Sequence, residues 1–179
     1  MIALTTPLKT KDILSLNAGD NVMLSGTIFT ARDKAHLFLL AEDFPAVQNG
    51  IIYHAGPIIK NREVISAGPT TSARLNPYTP KLIEKYGIKA IIGKGGMNQS
   101  VVDALRGKAV YFSAVGGLGV IYAKAMKFKN VYKEEFGMPE AIWEFEVKDF
   151  PVIVAIDSKG KSLYDETLEK SKKEFLRLV

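Results

Sequence analysis

Hydrophobic and polar positions alternate along several short stretches of the chain, and each such stretch predicts a strand. The clearest one runs from residue 21 to residue 30. Residues 141–147 alternate in the same way, which indicates a half-exposed strand, whereas the continuously apolar segment 151–157 indicates a central strand. Further predicted strands cover residues 50–54, 64–67, 89–92 and 109–115.

Between these strands the apolar residues recur at helical spacing. Thr79 followed by Pro80 predicts a helix start with Thr79 as N-cap, and Gly87 predicts its end. The other predicted helices cover residues 34–42, 98–106, 118–126 and 165–179. The apolar face expected on the last of them consists of Leu168, Phe175, Leu176 and Val179. This order predicts an α/β fold with a mixed sheet, in a single domain spanning residues 1–179 without repeats or linkers.

The composition restricts the chemistry that this chain can perform by itself. Its 179 residues include no cysteine, which excludes disulfides, thiolate metal sites, a cysteine nucleophile and a self-ligated iron–sulfur cluster. With only two histidines, a metal site made of several histidines is not expected. The segment at residues 1–8 does not resemble a signal peptide, and no window approaches the roughly 20 apolar residues of a membrane span. We therefore expect a cytoplasmic protein that binds no membrane.

Three glycine-containing or cation-bearing loops each follow a predicted strand, and the net charge is +5. Their cations are Arg32, Arg74 and Lys94. Glycine lets the backbone approach a ligand, an arginine fork suits a carboxylate, and strand-end loops are the usual ligand site of open α/β sheets. Each loop also has a plainer interpretation as an exposed turn, and none has the spacing of a phosphate-binding or dinucleotide-binding loop. The residues alone thus predict an anion-binding α/β domain.

Seven motifs in a fixed order are more specific than any single loop. They are Ala31-Arg32-Asp33-x-Ala35-His36, Tyr53-x-Ala55-Gly56-Pro57, Gly68-Pro69-Thr70-Thr71-Ser72-x-Arg74, Ile92-Gly93-Lys94-Gly95-Gly96-Met97, Ala114-Val115-Gly116-Gly117, Trp143-x-Phe145-Glu146-Val147 and Asp149-Phe150-Pro151. Together they resemble the β subunit, or C-terminal domain, of the iron–sulfur class I fumarases and L(+)-tartrate dehydratases, from about residue 16 to about residue 164. One departure is Leu75-Asn76, where fumarases often have Met-Asp, and it weakens the choice of substrate.

The resemblance implies a swivelling β/β/α domain and half of a hydro-lyase active site. A separate α subunit would hold a [4Fe–4S] cluster on its own cysteines, in an α2β2 heterotetramer, so that this chain itself binds no metal. Arg32, Arg74 and Lys94 would bind the carboxylates of a small dicarboxylate, and Thr70 would be the base. An ordinary threonine hydroxyl is a weak base, so this role requires an activating group. The resemblance assigns supporting roles to His36, Gly68, Thr71, Ser72, Gly93, Gly95 and Gly96.

Several functions remain open at this point. The favoured hypothesis is the β subunit of a hydratase that interconverts fumarate and malate, and L(+)-tartrate dehydratase is the alternative within the same class. A non-catalytic module for an anionic metabolite is an alternative of a different class. Nucleic-acid binding is not expected, because the chain has no basic stripe interleaved with aromatic residues.

Overall fold

The computed structural model describes residues 1–178, in which nine strands and six α-helices are found. The strands are β1 (Ile2–Thr5), β2 (Asn21–Thr30), β3 (Ile51–Tyr53), β4 (Ile58–Lys60), β5 (Glu63–Ser66), β6 (Ala90–Gly93), β7 (Val110–Ser113), β8 (Met126–Tyr132) and β9 (Ile142–Ile156). The helices are α1 (Thr10–Ser15), α2 (Asp33–Ala41), α3 (Thr79–Tyr86), α4 (Gln99–Leu105), α5 (Gly119–Lys124) and α6 (Leu163–Leu178). The predicted α/β class is confirmed.

Seven of the strands form a sheet in the order β1-β2-β3-β6-β7-β9-β8, while β4 and β5 form a separate hairpin. The sheet is mixed, as the sequence predicts. The neighbours from β1 to β7 in this order are parallel, and β9 is antiparallel to β7 and β8. Strand β9 also pairs with β2 in antiparallel fashion. Because β9 contacts both β2 and β7, the strands β2, β3, β6, β7 and β9 close into a ring.

Successive side chains of the ring strands point to opposite sides and build two hydrophobic clusters. In β3, Ile51 and Tyr53 belong to one cluster and Ile52 to the other. Buried residues of α2, α3 and α4 join the cluster of Ile52, whereas Ile13 of α1 and Tyr122 of α5 join the cluster of Tyr53. Helices α2, α3 and α4 therefore pack on one side of the ring strands, and α1 and α5 contribute side chains to the cluster on the other side.

One prediction is wrong for the last third of the sheet. The segments 141–147 and 151–157 are not separate strands but parts of the single 15-residue strand β9. Its pairing with β2 shifts register between Leu24 and Gly26, opposite a left-handed Asp149 with φ 51°. The backbone N–H of Asp149 donates to Ser25 Oγ at 3.1 Å. The strand thus continues through a β-bulge at the polar residues 148–149, which resemble a turn in the sequence.

The start of α3 also differs from the prediction by one residue. Thr79 is the first helical residue, and its hydroxyl donates to the carbonyl of Leu75 at 2.9 Å instead of capping the helix. Tyr78 is the N-cap, and Pro80 occupies the second helical position. The predicted end is confirmed, because Gly87 adopts the left-handed φ of 60° that glycine tolerates best.

The apolar face predicted for the last helix exists but is not buried. Leu168 of α6 is 53% exposed and Phe175 is 63% exposed, and Leu176 is also exposed. Val179, the remaining predicted member, lies outside the described residues. The described part of the chain therefore leaves this face uncovered. Over residues 1–178, no helix combines the length and the apolar character that crossing a membrane would require.

Candidate active site

The predicted cationic loops meet at one edge of the sheet. Strands β2, β3, β6 and β7 are mutually parallel, so their carboxyl ends lie side by side. Arg32 follows β2, His54 follows β3 and Lys94 follows β6 at this edge. The segment 68–74 joins the same edge through an antiparallel bridge between Pro69 and Ala55. Loops that a strand scaffold brings together in this way are a usual place for a ligand site.

Thr70 is attached to the ends of two strands. Its N–H donates to the carbonyl of His54 at 2.7 Å, and its hydroxyl donates to the same oxygen at 3.0 Å. Lys94 donates its N–H to the carbonyl of Thr70 at 3.3 Å, and Ser72 donates its N–H to the carbonyl of Lys94 at 3.0 Å. Thr71 pairs with Lys94 as a short parallel bridge. The predicted base and one predicted cation are thus fixed next to each other by backbone hydrogen bonds.

Arg32 is held by an acidic residue and by a tight backbone contact. Its Nε lies 3.3 Å from Glu140 Oε1, in an ion pair that is not aligned as a hydrogen bond. Glu140 Oε2 accepts the N–H of Lys34 in the first turn of α2 at 2.9 Å. A Cβ added to Gly56 would lie 2.9 Å from Arg32 Nη1 and 2.9 Å from the carbonyl oxygen of Pro139. Only glycine leaves room there for the arginine side chain.

The other two cations are held less firmly. Arg74 Nη2 lies 3.4 Å from Asp33 Oδ2, and both side chains are about half exposed, at 47% and 44%. Exposed pairs of this kind contribute about 0–1 kcal/mol, so Arg74 can exchange its partner for an external carboxylate at little cost. Lys94 has no acidic partner within residues 1–178, and its Cδ would lie 3.4 Å from a Cβ at Gly116. Lys94 is therefore the predicted cation whose charge is least compensated by this chain.

The two histidines are buried side by side behind these loops, with ring centroids 5.1 Å apart. His36 Nδ1 donates to the carbonyl of Arg32 at 2.8 Å, which places His36 behind the arginine. Burial lowers the pKa of His36 to about 4. Burial, followed by the charges of His36 and Arg74, lowers the pKa of His54 well below its ordinary value. Both imidazoles are consequently neutral at pH 7.

This burial makes the stability of the fold depend on pH. An unfolded histidine titrates near pH 6.5, so between about pH 6.5 and pH 4 the unfolded chain binds a proton that folded His36 does not. The contribution of His36 to stability is present above pH 6.5 and is lost as the pH falls toward the folded pKa. Acidification therefore favours unfolding through His36, and through His54 in the same direction.

The remaining predicted residues support the loops sterically. A Cβ on Gly93 would overlap Ser72 Oγ and lie 3.2 Å from Tyr111 Oη. Gly95 has a left-handed φ of 75°, and Gly68 packs against the backbone of α5. Gly96 lies against Tyr164, where a Cβ would have an ordinary contact of 3.5 Å, and the side chain of Thr71 is exposed. Among these glycines, Gly93 has the least space for a side chain.

Three residues that the sequence reasoning did not select complete the site. Glu140 holds Arg32, the carbonyl of His54 holds Thr70, and the hydroxyl of Tyr111 contacts Ser72. His54 is the last residue of the predicted strand 50–54 and lies between Tyr53 and Ala55 of one of the seven motifs, so the sequence indicated its position near the site. Nothing in the sequence indicated Glu140 or Tyr111, because their roles depend on contacts between distant segments.

The chain does not provide the donor set of an iron–sulfur cluster. It contains no cysteine. Within the described residues, no three histidine, aspartate or glutamate side chains are grouped so that they could hold a metal ion. The chemistry that these residues can perform is the binding of anions and the holding of protons.

Fold and site together define a mixed α/β protein with three cationic side chains on loops at one edge of its sheet. Residues 1–167 match the Fumarase C-terminus family. The chain belongs to this family, which also contains the β subunits of L(+)-tartrate dehydratases and parts of class I fumarate hydratases.

Three relatives illustrate the range of the family. The chain is 43% identical to a putative class I fumarate hydratase of Geobacillus stearothermophilus, over 98% of this chain but only 36% of that protein. It is 43% identical to the putative L(+)-tartrate dehydratase subunit beta of Methanocaldococcus jannaschii, over 94% of each chain. It is 38% identical to the L(+)-tartrate dehydratase subunit beta of Escherichia coli strain K12, over 91% of this chain and 86% of that one.

Proposed function

We propose that this chain is the β subunit of a hydro-lyase that reversibly hydrates fumarate to malate. In this proposal the chain acts as one swivelling domain that closes over a [4Fe–4S] cluster held by an α subunit in an α2β2 heterotetramer. The observation that carries the proposal is the hydrogen-bonded attachment of Thr70 to the Lys94 loop, at the edge that also holds Arg32 and Arg74. Membership of the family supports the reaction class.

The three cations bind the two carboxylates of the substrate in this proposal. Arg32 is oriented by Glu140 and can present its remaining N–H groups as a fork. Arg74 exchanges its exposed pair with Asp33 for the incoming carboxylate. Lys94, whose charge has no acidic partner in the described chain, faces the carboxylate on which negative charge increases during proton removal. Charge placed there lowers the barrier more than it strengthens substrate binding.

Thr70 removes the proton from the carbon next to a carboxylate in this proposal. Its hydroxyl hydrogen is directed to the carbonyl of His54, which leaves the oxygen lone pairs free to face the substrate. That carbonyl cannot itself take a proton, and no other hydrogen-bond partner of the hydroxyl is found within residues 1–178. Thr70 must give up its own hydroxyl proton before it can take one from the substrate. The group that accepts this proton must therefore come from outside these contacts.

The cluster is assigned to the α subunit, because the residues of this chain do not fit it. The sequence has no cysteine, and the described residues contain no metal-binding group. The roles proposed for this chain are confined to binding the dicarboxylate, orienting it and moving one proton.

An L(+)-tartrate dehydratase is the second candidate, and a specific observation favours it. The relatives matched over nearly their whole length are named as tartrate dehydratase β subunits, at 43% and 38% identity. The two substrates of this class differ by one hydroxyl group, and the cationic residues bind carboxylates in either case.

The test is anaerobic assay of the complex with a cluster-bearing α subunit, using fumarate, malate and L(+)-tartrate. Activity with fumarate and malate supports the proposal, and activity with tartrate alone supports the second candidate. No activity, with the cluster intact by spectroscopy, overturns both. Binding of a dicarboxylate by this chain alone would then indicate a non-catalytic module.

Lys94→Ala tests the site within the active complex. Removing one well-placed charge costs on the order of 3 kcal/mol of transition-state stabilisation, which corresponds to about a hundredfold loss of kcat/KM. The matched control is Lys108→Ala, which removes an exposed lysine just before β7, at the opposite edge of the sheet. Equal activities of the two variants would refute the role of Lys94.

A further inference from the structure

Three completely buried polar side chains connect beneath the site. His54 Nδ1 lies 2.9 Å from Ser72 Oγ, and Ser72 Oγ lies 3.1 Å from Tyr111 Oη. Tyr111 Oη lies 2.8 Å from the carbonyl oxygen of Gly95. None of the three side chains is accessible to solvent. The reaction scheme proposed above does not use any of these groups directly.

The chemistry of the end group sets the direction of these hydrogen bonds. A carbonyl can only accept, so the single proton of the Tyr111 hydroxyl goes to Gly95. The Tyr111 oxygen then accepts the hydroxyl proton of Ser72, and the Ser72 oxygen accepts the N–H at His54 Nδ1. His54 Nε2 is left as a buried lone pair without a hydrogen-bond partner within residues 1–178. All donors of the series are used in this arrangement.

The hydrogen bonds among His54, Ser72, Tyr111 and Gly95 connect the segments that carry the site. Ser72 lies two residues from Thr70 and two from Arg74, and Gly95 directly follows Lys94. Tyr111 belongs to β7, so these hydrogen bonds connect the segment 68–74 and the Lys94 loop to the sheet. The packing is tight, because a Cβ on Gly93 would overlap Ser72 Oγ. A change in these hydrogen bonds therefore moves Thr70 and Lys94 relative to each other.

We propose that Ser72 and Tyr111 are positioning residues whose buried hydrogen bonds set the relative placement of Thr70 and Lys94. This inference rests on the proposed function, because it gives these two residues their roles in proton removal and charge stabilisation. Misplacement of reacting groups by a fraction of an ångström to an ångström reduces turnover strongly while leaving binding largely intact. The effect is thus expected in kcat more than in KM.

The experiment compares Tyr111→Phe and Ser72→Ala with the control Tyr86→Phe in the complete enzyme. Tyr86 is also buried, and its hydroxyl contacts the carbonyls of Leu39 and Glu42, between α2 and α3. We expect kcat to fall at least tenfold in Tyr111→Phe and KM to change less than threefold, with neither affected in the control. The double variant Ser72→Ala with Tyr111→Phe should lose no more than the stronger single variant, because both act in one network.

Hydrogen exchange provides a readout that does not depend on activity. The amides of Ser72 and Lys94 donate across the two loops, so their protection should fall in Tyr111→Phe and stay unchanged in Tyr86→Phe. An active wild-type enzyme in which Tyr111→Phe keeps both its kcat and this protection would overturn the inference. An inactive wild-type complex with an intact cluster would instead overturn the proposed function, while the exchange result would still decide whether the hydrogen bonds hold the loops.

Discussion

Replacing Gly93 by alanine tests how closely the two central loops are packed. Gly93 ends β6, and its backbone φ is not in the left-handed region, so alanine adds a steric effect without backbone strain. The new Cβ would overlap Ser72 Oγ and lie 3.2 Å from both Ser72 Cβ and Tyr111 Oη. Since Ser72 is completely buried, its hydroxyl cannot turn toward solvent.

The expected cost follows from this geometry. Overpacking of a buried position costs about 1–3 kcal/mol, and displacing the Ser72 hydroxyl from its two partners adds about 1 kcal/mol. We therefore expect Gly93→Ala to destabilise the fold by about 2–4 kcal/mol. At about 2–4 °C for each kcal/mol in a chain of this size, the melting temperature falls by roughly 4–16 °C.

Denaturant unfolding and calorimetry of matched variants provide the measurement. Gly96→Ala is the control, because it lies in the same loop and its Cβ would meet only an ordinary 3.5 Å contact with Tyr164. Adding Ser72→Ala to Gly93→Ala removes the overlapping oxygen, so the double variant should be more stable than the sum of the single effects. Equal stability of Gly93→Ala and Gly96→Ala, or strict additivity in the double variant, would refute this description of the packing.

Three further results are expected. Through His36 alone, the free energy of unfolding should be about 2 kcal/mol lower at pH 5 than at pH 7.5. A variant with His36→Gln and His54→Gln should lose this part of the dependence of unfolding free energy on pH. The same pH dependence in the variant and the wild type would contradict neutral, buried histidines. Glu140→Gln should raise the KM for fumarate roughly fivefold, corresponding to about 1 kcal/mol, because the guanidinium that it contacts loses its restraint. Gly56→Ala should raise KM and destabilise the fold by about 1–3 kcal/mol, because its Cβ would collide with Arg32 and with the carbonyl of Pro139. Steady-state kinetics and thermal unfolding measure the two effects, and both would be smaller if the arginine side chain moved aside.

The sequence predicted correctly those helix and strand boundaries that are determined by neighbouring residues in the chain. Strand β2 has the predicted bounds; its first four residues alternate between less buried and buried positions, and its last three are all buried. The end of α3 at Gly87 follows from the left-handed backbone that glycine accepts. The cations reach one edge because parallel strands place their carboxyl ends together, which a topology of alternating strands and helices implies.

Features that depend on contacts between distant segments could not be predicted from the sequence. The continuity of β9 depends on a bulge paired with β2, and the polar residues that form the bulge look like a turn when read alone. The pairing of Arg32 with Glu140 joins segments that are far apart in the chain. The roles of Thr70, Arg32, Arg74 and Lys94 remain predictions that the assays above address.

The closure of the ring by β9 has a consequence for how the chain folds. Trp143 of β9 donates its N–H to the side chain of Thr30 at 3.0 Å, across 113 residues of sequence. Contacts at such separation form slowly, because a long loop must close before they stabilise anything. Until β9 docks, β2 and β7 each present an unpaired edge, and such edges are prone to pairing with other chains. We therefore expect the ion pair of Arg32 with Glu140, which lies two residues before β9, to form only in the last, slow step of folding.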